Sequence, residues 1–169
     1  MGFLGTTVAR QLTNVGFQVQ GWSRSPKNIN GVTSYHGPDQ MSQFLKQSRI
    51  LICLLPLTPE TDSILNRDLF EQLPRDAFLI NVARGQHLVE EDLLQALDQG
   101  RLSGAALDVF REEPLPKGHP FWKHPLVQVT PHIASVTKPS AVVSQVLENY
   151  RKMRSDQPLE HEVQKDKGY

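Results

Sequence analysis

Ile50-Leu51-Ile52-Cys53-Leu54-Leu55 is an unbroken apolar run that stops at Pro56. It is far short of the roughly 18 residues a membrane span requires, and its length and composition suit a buried strand. Ala77 to Val82 and Gly104 to Val109 read as further strands. Helix-period stretches separate them: Asn66 can cap a helix carrying Leu69, Phe70 and Leu73, and Glu91 to Leu97 forms another that Gly100 closes. Such alternation is the signature of a parallel sheet with helices on its faces, so the fold class is α/β.

The pattern extends in both directions. Upstream, Val8 to Val15 reads as a helix ended by Gly16, Phe17 to Trp22 as a strand, and Val32 to Tyr35 as a short strand. Asp39 is placed to cap a helix from Gln40 to Gln47, with Met41, Phe44 and Leu45 on one face. Downstream, five prolines between Pro114 and Pro131 predict extended loop apart from Val127-Gln128-Val129. A last helix runs from Pro139 to Met153, and residues 154–169 form a polar tail or docking segment.

The 169 residues suit one domain or slightly more. Lys+Arg and Asp+Glu both total 18, so no overall basic field exists to hold nucleic acid or an anionic membrane. With 38% hydrophobic and 21% charged residues, the chain should fold as a soluble globule. No basic segment leads an apolar stretch at the N-terminus, so no signal peptide is expected. The single cysteine, Cys53, excludes an internal disulfide, reads as a buried strand residue and fits a reducing, cytoplasmic setting.

Three places carry chemistry. Gly2-Phe3-Leu4-Gly5 has the spacing of the second and third glycines of a dinucleotide-binding G-x-G-x-x-G turn, with an ordinary N-terminal turn as the alternative. Asn81-Val82-Ala83-Arg84-Gly85 ends a buried strand, where ligands of open α/β sheets bind. The guanidinium of Arg84 could grip a carboxylate with two bonds or simply form a surface ion pair. Asp108-Val109-Phe110-Arg111-Glu112-Glu113-Pro114 and Thr130-Pro131-His132 end the next two strands. If Glu113 meets His132, it would orient the imidazole and favour its protonated form, giving a proton donor usable near neutral pH. Among the six histidines, His36, His119, His124 and His161 read as solvent-exposed, and His87 follows the Arg84 loop. With no helical histidine pair beside an acid and no cysteine pair, no metal site is expected.

Taken in order, Gly2-x-x-Gly5, Leu55-Pro56-Leu57-Thr58-Pro59-Glu60-Thr61, Asn81-Val82-Ala83-Arg84-Gly85, Asp108-Val109-Phe110 with Glu113-Pro114, and Thr130-Pro131-His132 resemble the D-2-hydroxyacid dehydrogenases over nearly the whole chain. Trp22-Ser23-Arg24-Ser25 and the terminal Gly168-Tyr169 make the glyoxylate/hydroxypyruvate reductase A branch the most similar. The resemblance implies a Rossmann-like doubly wound sheet and reduction of a small 2-keto acid to the 2-hydroxy acid. By it, Arg84 binds the substrate carboxylate and carbonyl, His132 is the acid/base and Glu113 holds it. Gly2, Phe3, Leu4 and Gly5 would take the pyrophosphate, Pro56 and Thr61 would line the cofactor cleft, and Val82, Ala83, Asp108, Ala134 and Ser135 would surround the nicotinamide.

After the second strand of such a fold an acid selects NAD and an arginine accommodates NADP. This chain has Ser23-Arg24-Ser25 there, which predicts NADP as preferred cofactor and NAD as possible; the alternative is an Arg24 that points only to solvent. Against the family's pattern the chain lacks a substrate domain and the first strand and first glycine of the nucleotide motif. The implied domains are residues 1–137 for the nucleotide and 138–169 as a helix and tail that dock on that substrate domain, with a homodimer possible. Three readings stay open: a reductase represented by its cofactor half, an NADP-binding module without turnover, and an inactive remnant. The chain alone is expected to show no reductase activity and weak cofactor binding or none.

Overall fold

Apolar strands and amphipathic helices alternate along the chain. The computed structural model describes residues 1–135, 138–160 and 162. Helix α1 (Phe3–Asn14) leads to β1 (Val19–Ser23) and β2 (Val32–His36), then to α2 (Met41–Leu45) and β3 (Ile50–Cys53). Helix α3 (Arg67–Gln72), β4 (Ala77–Asn81), α4 (Glu90–Asp98), β5 (Leu102–Leu107) and β6 (Val127–Val129) follow, and α5 (Pro139–Arg154) comes last. Two compact units result, Met1–His132 and Ile133–Tyr169.

All strand pairs are parallel, as the alternation requires. They form two sheets among the described residues: β1 pairs with β2, and β3, β4, β5 and β6 form a four-stranded sheet in that order. Strands β1 and β3 therefore each have one edge without a strand partner. Helix α2 serves both sheets. Phe44 meets Tyr35 of β2, with ring centres 6.0 Å apart, while Leu45 is buried in the same core as Leu51 of β3. That core is built where helices pack on β4 and β5: Leu79, Ala105, Leu93 of α4 and Phe70 of α3 are all almost fully buried.

Caps match the sequence in part. Asn66 accepts from the Leu69 amide at 3.1 Å and starts α3. Gly16 and Gly100 take positive φ (94° and 63°) beyond the ends of α1 and α4. Asp39 does not cap α2. Gly37 (φ 67°) and Pro38 start a 3₁₀ turn that absorbs Asp39 and runs straight into the helix, while Gln40 Oε1 accepts instead from the His36 amide at 2.8 Å. Helix α1 begins at Phe3, five residues before the predicted start, because Gly2 already stands extended as its N-cap. The long proline-containing segment holds a 3₁₀ turn at Pro120–Trp122, which buries Phe121.

In the second unit, α5 starts with Pro139 in its first turn, where proline's missing N–H is not needed. The chain then turns back: Asn149 exchanges two hydrogen bonds with the Glu160 backbone, and Lys152 pairs with the Glu160 carboxylate at 2.7 Å. His161 and residues 163–169 of the tail lie outside the described residues. Among the described residues no helix is long and apolar enough to cross a membrane.

Burial pushes the Cys53 thiol up to about 11. The thiolate is the reactive form, so iodoacetamide at pH 8 should leave Cys53 unmodified in the folded chain and alkylate it rapidly in denaturant, as read by mass spectrometry.

Candidate active site

Because β3 to β6 run parallel, their C-terminal ends share one edge of the sheet. The loops leaving that edge hold residues 54–61, 82–85, 108–113 and 130–132.

Asn81, wholly buried at the end of β4, shapes the first turn of its loop. Its Oδ1 accepts from the Ala83 amide at 3.2 Å and its Nδ2 donates to the Arg84 carbonyl at 3.1 Å. The Asp108 amide donates to the Asn81 carbonyl at 3.0 Å and joins the next loop to this one. Ala83 is thereby buried, Val82 half-buried and Arg84 exposed, with Arg84 Nη1 donating to the Ala83 carbonyl at 2.7 Å. At Gly85 a Cβ would stand 1.9 Å from both the carbonyl carbon and oxygen of Phe110, so only glycine allows the two loops to touch.

Glu113 closes the other side. Its Oε1 accepts from the Phe110 amide at 2.9 Å, and its Oε2 lies 2.7 Å from His132 Nδ1. His132 adopts φ 53°, a left-handed conformation that a non-glycine residue takes only at some cost, and its amide donates to the Thr130 carbonyl at 3.1 Å. Thr130 is held by its hydroxyl, which donates to the buried Asp108 carboxylate at 2.5 Å. Partial burial works to raise the Glu113 carboxyl, but hydrogen bonds from His132 and the Phe110 amide and the charge of His132 hold it below its ordinary value.

Among the described residues three histidines face carboxylates, and their geometry separates them. His119 and His124 accept backbone amides (Phe121 and Leu126) at Nδ1, which leaves Nε2 for Glu90 and Asp98, each at 3.3 Å. Both nitrogens are used, and these side chains are only 18% and 12% exposed, contrary to the expectation of solvent-facing rings. His132 is reversed: Nδ1 faces the acid and Nε2 has no hydrogen bond among the described residues, with the side chain 49% exposed. His36 is exposed, but it ends β2 rather than lying in a loop.

Pro56 and Thr61 close the loop after β3, since the Thr61 hydroxyl donates to the Pro56 carbonyl at 2.7 Å and accepts from the Thr58 amide at 2.8 Å. No side chain caps α1 and no acid stands in its first turn; Gly2, Phe3 and Leu4 are exposed and Gly5 packs against Met1. At the end of β1, Ser23 is buried with its hydroxyl donating to the Ser25 carbonyl at 3.0 Å, while Arg24 and Ser25 are exposed. Ala134 and Ser135 are exposed and fall in the second unit.

Sequence reasoning missed three residues of this edge. Asn81 was legible as the one polar residue of an apolar strand. Arg111 donates from Nε to the Leu88 carbonyl at 2.7 Å, and from Nη2 to the Ser63 hydroxyl at 2.7 Å and the Gln86 carbonyl at 3.0 Å, a brace that no local pattern announces. His87 is completely buried.

This sheet edge is that of a nucleotide-binding dehydrogenase domain, and the family follows: residues 1–134 match the model of the D-isomer specific 2-hydroxyacid dehydrogenase NAD-binding domain, and the chain belongs to that family. It is 55% identical over 156 residues to the glyoxylate/hydroxypyruvate reductase A of Serratia proteamaculans, covering 92% of this chain and 50% of that protein. A D-isomer specific 2-hydroxyacid dehydrogenase from Xanthobacter autotrophicus Py2, solved in complex with NADPH and MES, superposes with a TM-score of 0.96 at 43% identity, over 99% of this chain and 69% of that one. An NADPH-dependent glyoxylate/hydroxypyruvate reductase from Sinorhizobium meliloti, solved with NADP and sulfate, gives 0.95 at 44% identity, over 100% of this chain and 55% of that one. The chain spans about half the length of the curated relatives it matches.

The depressed Glu113 carboxyl has a consequence for stability. Its folded pKa lies below the ordinary 4.5, so the folded state binds fewer protons than the unfolded state in that window. The stabilisation is complete above 4.5 and is lost as pH falls through the lower folded value. Urea unfolding from pH 6 down to pH 3 should therefore show a steeper acid loss in the wild-type chain than in Glu113→Gln.

Proposed function

We propose that this chain is the cofactor-binding part of an NADPH-dependent reductase that converts a small 2-keto acid, glyoxylate or hydroxypyruvate, to the 2-hydroxy acid. The observation that carries the reading is the Glu113–His132 pair at 2.7 Å, with His132 Nε2 left open on the sheet edge that also presents Arg84. Binding a nucleotide alone would need neither residue.

The donor set fits a dinucleotide phosphate. An uncapped helix start without an acid in its first turn suits the pyrophosphate at Gly2, Phe3, Leu4 and Gly5. The Ser23-Arg24-Ser25 turn offers a guanidinium and the hydroxyl of Ser25, with no carboxylate of its own, to a 2′-phosphate. Pro56, Thr61, Val82, Ala83, Asp108, Ala134 and Ser135 would border the rest of the cofactor, and NAD would bind less well. The nicotinamide, when bound, supplies the hydride.

The chain's own residues do the remainder. Arg84 grips the substrate carboxylate, fixes which face of the ketone is presented and polarises its carbonyl. His132 donates its Nε2 proton to the ketone oxygen and is then neutral until solvent reprotonates it. Glu113 keeps the Nδ1 proton in place, orients the ring and stabilises the imidazolium before transfer.

Residues 1–137 are the nucleotide-binding domain in this reading, and 138–169 dock on a substrate domain. Val143, Val146, Leu147, Tyr150 and Met153 are exposed on α5 at helical spacing and supply the apolar stripe such docking needs. The protein would assemble as a homodimer and work in the cytoplasm.

The test is a chimera that joins this chain to the part of the Serratia protein it does not span. It should oxidise NADPH with glyoxylate or hydroxypyruvate. His132→Ala should lower chiefly kcat, and Arg84→Ala should also raise KM. Arg24→Ala should weaken NADPH about tenfold to a hundredfold more than NADH, the range for one charged hydrogen bond. No NADPH oxidation with any small 2-keto acid would end the reading, and equal weakening of both cofactors would remove Arg24 from selectivity.

A further inference from the structure

His87 lies at the end of the 3₁₀ turn that begins directly after Arg84, and it is 0% exposed. Its ring stands between two loops of the sheet edge: Nδ1 is 3.0 Å from the Arg84 carbonyl and Nε2 is 3.2 Å from the Pro56 carbonyl. One contact is local, three residues back along the chain. The other crosses from the end of β4 to the end of β3.

Neither carbonyl depends on the ring for a partner. The Arg84 oxygen also accepts from Asn81 Nδ2 at 3.1 Å, and the Pro56 oxygen from the Thr61 hydroxyl at 2.7 Å. Satisfying buried acceptors therefore does not account for a histidine here, and an apolar side chain of similar volume would fill the space. What an imidazole adds is an N–H: both ring nitrogens face carbonyl oxygens, so a neutral ring donates to one of them, and with its proton on Nε2 it donates across to the Pro56 carbonyl and links the two main chains.

We infer that His87 is a positioning residue that ties the loop bearing Arg84 to the loop bearing Pro56 and Thr61, so that the substrate-facing guanidinium and the cofactor-facing loop keep one geometry. The neighbouring contacts support this. The Leu65 amide donates to the His87 carbonyl at 2.8 Å, and the Ser63 amide to the Gln86 carbonyl at 2.9 Å, so the chain just beyond Thr61 is already strung to the 3₁₀ turn. His87 extends that contact to the start of the same loop. The purpose of the tie rests on the proposed reductase reading, but the tie itself does not.

Glutamine and asparagine separate the two contacts. A glutamine amide reaches where Nε2 stands, and an asparagine amide where Nδ1 stands. Hydrogen–deuterium exchange of the 169-residue chain, without cofactor or substrate, should show the hydrogen-bonded amides of Thr58 and Thr61 protected in wild type and in His87→Gln. In His87→Asn they should exchange about tenfold faster, the size of one lost hydrogen bond, while the amides of Phe70 in α3 and of Leu73 just beyond it keep their rates. Equal rates in the Gln and Asn variants would overturn the inference. So would acceleration that includes α3 equally, because His87 would then only be holding the fold together. A chimera that oxidises no NADPH with any small 2-keto acid would count against the reductase reading and leave this result unchanged.

Discussion

One carboxylate holds the site together. Glu113 accepts a backbone amide of its own loop at Oε1 and faces His132 with Oε2, so a single side chain links the loop after β5 to the loop after β6. Its position determines which imidazole nitrogen is occupied and which is left for chemistry. His119 and His124 show the alternative: the same pairing of histidine and acid, formed through the other nitrogen, leaves a clasp with nothing free to react.

That link works only because the neighbouring loops are brought close by backbone. Gly85 lies against the Phe110 main chain with no room for a Cβ, and Phe110 supplies the amide that Glu113 accepts. Asn81 ties the same two loops through the Asp108 amide, and Thr130 reaches the Asp108 carboxylate. From β4 to β6 the edge is thus a chain of short polar contacts laid over the buried core of Leu79, Ala105 and Leu107. Parallel strands place the loops side by side, and these contacts set their spacing.

Much of this was legible in the sequence because it rests on local rules. Apolar runs bounded by turn residues marked β3, β4 and β5, Asn66 marked the start of α3, and glycines marked the ends of α1 and α4. Glu113, His132 and Arg84 stood out as chemically capable residues at strand ends. What stayed hidden depends on distant segments meeting. His119 and His124 look like loop residues until Glu90 and Asp98 of α4 are seen beside them. Arg111 and His87 act across loops that are close only in the folded sheet. Asp39 misled for a local reason, since a residue with good capping chemistry was taken into a 3₁₀ turn that Gly37 and Pro38 had already begun.

The central claim is that Glu113 fixes the proton of His132 on Nδ1 and reserves Nε2 for transfer. Nitrogen-15 NMR of the histidine rings in the folded chain reads this directly. The account predicts that the neutral His132 ring carries its proton on Nδ1, with Nε2 bare. A neutral ring protonated at Nε2 would contradict it.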